Sequence, residues 1–284
     1  MSGGRTPSPA VVLAVHAALL VFTVATLYPV LWVVKMALAP SQAFASGAWP
    51  LPTAVSPANF VEVVGTTDAS GWLFGRQLLN SVVVSVGAAT AGLVISTTSA
   101  YAMSRWRFPG KERALDAFLL TQMFPTVVMA IPLYLLLDTL HLLDTLTGLV
   151  LVYAASSVPF STWTLKGFFD TLPHELEEAA RLDGATRIQT FLWVVLPLAR
   201  PALAVTALFS FMTAWNEFVL AATFMGAQRS FTLPVVLQRY VSDYGTEWGH
   251  FAAGAIIVSL PVIALFFALQ RQFVEGLTAG GVKG

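Results

Sequence analysis

Six long apolar runs, at about 10–34, 80–103, 117–137, 147–165, 202–224 and 251–270, govern what this chain can become. Each is close to the ~20 residues that an α-helix needs to cross the hydrocarbon core of a bilayer. The runs are continuous, whereas the strands of a closed barrel would alternate polar and apolar residues. The expectation is an all-α membrane protein, one domain over residues 1–284 with six transmembrane helices. Composition agrees, with 56% hydrophobic residues, 11% charged and a mean hydropathy of +0.74. Soluble domains carry roughly 25% charged residues, so lipid must solvate much of this surface.

Several functions drop out at once. Net charge is zero, which points away from nucleic acid. There is no cysteine, hence no disulfide, thiolate metal site or cysteine nucleophile, and the four histidines show no metal-ligand spacing. The first run is too long for the apolar core of a cleaved signal peptide and continues into Tyr28-Pro29-Val30-Leu31-Trp32, so it reads as an uncleaved first span.

The basic residues set the expected orientation. With the N-terminus in the cytoplasm, eleven lie inside: Arg5, Arg105, Arg107, Lys111, Arg113, Lys166, Arg181, Arg187, Arg200, Arg271 and Lys283. Four lie outside: Lys35, Arg76, Arg229 and Arg239. Six spans return the C-terminus to the cytoplasm. Residues 36–79, rich in proline, read as an irregular outer cap with short helices, and the basic stretch 104–116 as an inner loop whose charges anchor the topology. Small residues at 85–92 suit close packing of helix backbones in lipid. His141, in the turn 138–144, reads as a surface histidine.

Between the fourth and fifth runs lies a charged island, about 170–197. Pro173 and the acids Glu175, Glu177 and Glu178 suit the start of a helix. Asp183-Gly184 suits its end, because glycine takes the left-handed cap geometry at little cost. A second helix is expected from about Thr186 to Val195, followed by breaks at Pro197 and Pro201. Ala179 and Ala180 would let another protein approach closely. Composition alone leaves this helix–turn–helix open between a docking element and an ordinary cytoplasmic loop.

The spacing Glu178-Ala179-Ala180, three residues, Gly184, nine residues, Val194, one residue, Leu196-Pro197 resembles the coupling loop of ATP-binding-cassette (ABC) importer permeases, with valine where the family usually has isoleucine. Trp215-Asn216-Glu217-Phe218 and the terminal Gly276-Leu277-Thr278-Ala279-Gly280-Gly281-Val282-Lys283-Gly284 are similar to the smaller permease subunit of maltose/maltodextrin-type transporters. The resemblance covers essentially the whole chain. It implies the type I importer permease fold. It also implies that Glu178, Ala179, Ala180, Asp183, Gly184, Val194, Leu196 and Pro197 form the loop that fits a cleft on an ATPase. The tail 271–284, with Gly276, Gly280, Gly281 and Lys283, would reach between two ATPase subunits. The implied partners are a second homologous permease, two ATP-binding subunits and an extracytoplasmic sugar-binding protein, toward which the loop 225–250 would extend.

No Gly-rich loop ending in Gly-Lys-Ser/Thr is present, so this chain is not expected to hydrolyse ATP; the resemblance implies that ATP and magnesium sit on the partner ATPases and that this chain binds no cofactor. Ionisable residues inside a span cost a few kcal/mol and mark candidate sites. Asn216 and Glu217 are the notable pair, facing either a pathway or subunit interface or a neighbouring helix as hydrogen-bond partners; Gln122 has a similar status. An ion-coupled secondary transporter would bury more such groups. Trehalose, other disaccharides and glycerol phosphate are alternative substrates to maltodextrin.

Overall fold

The computed structural model describes residues 8–44, 49–52, 54–242 and 245–281, with only the backbone of residues 242, 271 and 273–281. The chain divides into two compact units, residues 1–74 with 237–259 and residues 75–236 with 260–284.

In the first unit, α1 (Pro9–Ala37) is apolar on every side and buries only Met36 and Ala37 within the chain. The cap holds α2 (Ala58–Val64) and a hairpin of two-residue strands, β1 (Thr67–Asp68) and β2 (Gly71–Trp72). Buried Asn59 organises it. Its amide donates to the carbonyls of Ala37 (3.0 Å) and Ala39 (2.8 Å), and its oxygen accepts from Gln42 (2.6 Å). Gln42 in turn accepts from the backbone N–H of Trp248 and His250. A Cβ on Gly249 would lie 2.6–2.8 Å from the Asn59 amide, so only glycine fits there.

The second unit begins within α3 (Leu73–Arg105) and continues through α4 (Lys111–Gln122), α5 (Thr126–Thr139) and α6 (Leu146–Thr171). Then come α7 (His174–Leu182), α8 (Arg187–Thr190), a π-helical turn Phe191–Val195 and α9 (Leu196–Leu198). The rest is α10 (Arg200–Asn216), α11 (Val219–Phe224), α12 (Leu233–Arg239), the hairpin β3 (Val241–Ser242) and β4 (Gly245–Thr246), and α13 (Trp248–Gly281), whose first turns belong to the first unit.

Among the described residues four helices are long and apolar enough to cross a membrane: Pro9–Ala37, Leu73–Arg105, Leu146–Thr171 and Trp248–Gln270. The expected run 117–137 is not one straight helix. It breaks at residues 123–125, and α4 and α5 meet at 105°. Pro125 is extended (φ −59°, ψ 133°), cannot donate, and disfavours helix at Phe124. The expected run 202–224 also breaks, because Glu217 is extended (φ −70°, ψ 124°) between α10 and α11. By length and composition two bent pairs can each make one span: α4 with α5, and α8–α9 with α10, which meet at 78°. Prolines 29, 132, 159 and 261 stay inside helices, as neighbouring helices in a membrane allow.

One core cluster joins Val84 and Ala88 of α3 to Leu149, Val152 and Tyr153 of α6 and to Leu220, Ala221 and Phe224 of α11. A second joins Ala100 and Tyr101 to Leu165, Phe169, Val195 and Ala199. The small residues of α3 serve packing: a Cβ on Gly87 would meet Val150 at 3.1 Å, and one on Gly92 would meet Ser157 Oγ at 2.4 Å. Hydroxyls also pair across helices, as at Ser161 and Ser210 (3.3 Å). In lipid, such close contacts and hydrogen bonds replace the hydrophobic drive between helices.

Candidate functional site: the 172–198 hairpin

The island folds as a helical hairpin; its returning arm runs through a π-turn and α9, so the expected break at Pro197 falls instead at Ala199. Pro173 (φ −58°, ψ 132°) precedes α7, and Glu175 and Glu177 sit in its first turn, where the helix dipole favours acids. Gly184 takes φ +90°; its N–H donates to the Arg181 carbonyl and that of Ala185 to the Ala180 carbonyl, both at 3.0 Å. This paired cap satisfies the last carbonyls of α7. Thr186 and Gln189 then form a reciprocal capping box that starts α8.

The two faces of the hairpin differ. Glu178, Ala179, Asp183 and Gly184 are exposed, Ala180 is half-buried, and Leu182 is 89% and Trp193 69% accessible. Val194, Leu196 and Pro197 are half-buried on the returning arm. The inner face turns on Glu177, which is 3% accessible. Its carboxylate forms an ion pair with Arg105 Nε, accepts from the Tyr101 hydroxyl at 2.7 Å, and lies 3.7 Å from Arg181. Arg105 also donates to the carbonyls of Phe169 (2.9 Å) and Leu172 (3.2 Å) at the end of α6. The Tyr101 ring lies 4.5 Å from that of Phe191 on the returning arm. Tyr101 and Arg105, one turn apart on α3, therefore grip both arms.

Arg105 and Glu177 were not singled out as a pair by the sequence. Arg105 counts there as one of several topology-setting charges, and Glu177 as one of three acids opening a helix. No local pattern links positions 72 residues apart.

Asn216 and Glu217 stand apart from the hairpin. Asn216 is exposed and donates to the Met212 carbonyl (2.9 Å). Glu217 caps α11, accepting from the N–H groups of Leu220 (3.0 Å) and Ala221 (3.1 Å), and its carboxylate takes a 2.6 Å hydrogen bond from Tyr153 on α6. Within the chain it is a helix-to-helix tie. Gly276, Gly280 and Gly281 lie in the last turns of α13, and Lys283 lies outside the described residues.

Several long apolar helices and a polar hairpin on a buried ion pair define a multi-pass membrane protein. Residues 92–278 match the family described as binding-protein-dependent transport system inner membrane component, and the chain belongs to that family. It is accordingly an integral inner-membrane permease component. It is 39% identical over 283 residues, 95% of each chain, to the maltose/maltodextrin transport system permease protein MalG of Escherichia coli. It is 35% identical over 260 residues, 91% of this chain and 93% of the relative, to the trehalose transport system permease protein SugB of Mycobacterium tuberculosis. Among solved structures it superposes with a TM-score of 0.77 on a chain of a bacterial ABC transporter involved in the import of the acidic polysaccharide alginate, at 25% identity and covering 96% of this chain and 100% of that one.

Proposed function

We propose that this chain is a permease subunit of an ATP-driven, binding-protein-dependent importer of oligosaccharides of the maltose/maltodextrin kind. It works beside a second permease, two ATP-binding subunits and an extracytoplasmic sugar-binding protein. The chain itself hydrolyses nothing; ATP and magnesium are held by the ATPases. The hairpin faces the cytoplasm, with both termini. Closure of the ATPase pair displaces the hairpin and so alternates access through the bundle.

The observation that carries this reading is the two-faced hairpin. A face of small and charged residues from Glu178 to Gly184, exposed except at half-buried Ala180, stands on a buried ion pair that fixes its position. The relatives named for maltose and trehalose transport support the sugar class. The test is uptake of labelled maltotriose, maltose and trehalose by cells carrying Gly184→Leu or Glu178→Lys. Both variants should insert normally and lose uptake, with sugar-stimulated ATP hydrolysis released from transport. Undiminished uptake would remove the hairpin's role, and uptake of none of the three sugars by the unsubstituted chain would remove the substrate class.

A further inference from the structure

The hairpin is held by one end of α3. The other end of the same helix holds the short segment 228–233, which opens on a 3-10 turn at Gln228–Ser230. Gln77, 2% accessible, donates to the Gln228 carbonyl at 3.0 Å. Asn80, also buried, donates to the carbonyls of Arg229 (2.7 Å) and Phe231 (3.1 Å). Ser81 Oγ accepts from the Leu233 N–H at 2.7 Å. These buried amides leave the segment's backbone little freedom to slide along α3. α3 is one unbroken helix of 33 residues, and its grips at residues 77–81 and 101–105 lie about 36 Å apart along it at 1.5 Å per residue. Its middle is pressed against α6 at Gly87 and Gly92 with no room for a methyl group at Gly92.

We propose that α3 is a transmission rod, which takes up hairpin displacement through Arg105 and Tyr101 and delivers it to residues 228–233 through Gln77, Asn80 and Ser81. These five are positioning residues for transport and touch no substrate. The proposal rests on the reading of the hairpin given above. A rival route exists, since α6 leads directly into the hairpin and Asp144, just before α6, accepts from the N–H groups of Gly226 (3.1 Å) and Ala227 (3.2 Å). The rod is distinguished from that route by which grip matters. Proximity alone does not establish coupling, so the test must read movement at both ends.

The chain has no cysteine, so a single introduced one carries a fluorophore cleanly. One label goes at Glu175→Cys, an exposed site at the start of the hairpin, and one at Gln228→Cys, whose side chain is exposed. The transporter complex is purified with its co-purifying subunits and given a non-hydrolysable ATP analogue. Both labels should respond in the otherwise unsubstituted complex. With Glu177→Gln, or with Asn80→Ala together with Gln77→Ala, the Glu175 site should still respond and the Gln228 response should be lost. With Asp144→Ala both responses should persist. Should Glu177→Gln fail to assemble, the Asn80 and Gln77 pair decides alone, because it removes only neutral hydrogen bonds. A Gln228 response that survives that pair, is lost with Asp144→Ala, or is absent from the start overturns the rod and leaves the hairpin's docking role intact. A silent Glu175 label in the unsubstituted complex ends both.

Discussion

The helical hairpin 172–198 and the short segment 228–233 are both held by α3, yet they are held differently. The hairpin is secured by a buried ion pair, a tyrosine hydroxyl and aromatic contact. The 228–233 segment is secured by neutral amides and a hydroxyl on backbone groups. An ionic grip fails abruptly when one partner goes, because a desolvated charge is left behind. A neutral grip fails gradually, one hydrogen bond at a time. The hairpin is thus held in one fixed geometry, while the segment is held by bonds that can be lost singly.

Four substitutions would break or sharpen that contrast. Arg105→Ala strands the Glu177 carboxylate and should cost about 3–5 kcal/mol locally, seen as proteolysis of the hairpin at residues 181–187 and a lowered Tm of the solubilised chain; an unchanged cleavage pattern would show the ion pair to be incidental. Asn80→Ala removes the amide that donates to the Arg229 and Phe231 carbonyls and should cost about 1–3 kcal/mol, with protease sensitivity rising at Arg229 and the hairpin unaffected. Gly184→Val forces a β-branched residue to φ +90° and should cost about 1–2 kcal/mol, loosening the turn while Glu177 stays protected. Thr186→Ala removes one half of the capping box and should cost about 1 kcal/mol, measurable as faster amide exchange at Gln189 alone. If Thr186→Ala disrupted the hairpin as fully as Arg105→Ala, local caps and not the ionic root would hold it.

Much of the hairpin was legible because its rules are local. Proline before the first turn, acids within it, glycine at the left-handed cap and a Thr-x-x-Gln box each act within a few residues. The helix breaks at Pro125 and Glu217 were less legible. A hydropathy window averages over them, and proline alone did not decide the matter, since Pro132, Pro159 and Pro261 remain helical. At Glu217 the break depends on a carboxylate that caps α11 and takes a hydrogen bond from Tyr153, 64 residues away in sequence. No pattern near Glu217 in the sequence points to that partner.

Apolar length, the scarcity of charge and the spacing from Glu178 to Pro197 were enough to determine a helical membrane protein with a polar hairpin, because each depends on residue type and short separation. Only the tertiary structure decided that Glu177 points inward while Glu178 points out, and that one helix grips both the hairpin and the 228–233 segment. Adjacent positions on a helix differ by about 100° in direction, and which of them is buried is settled by the distant partner that can neutralise it.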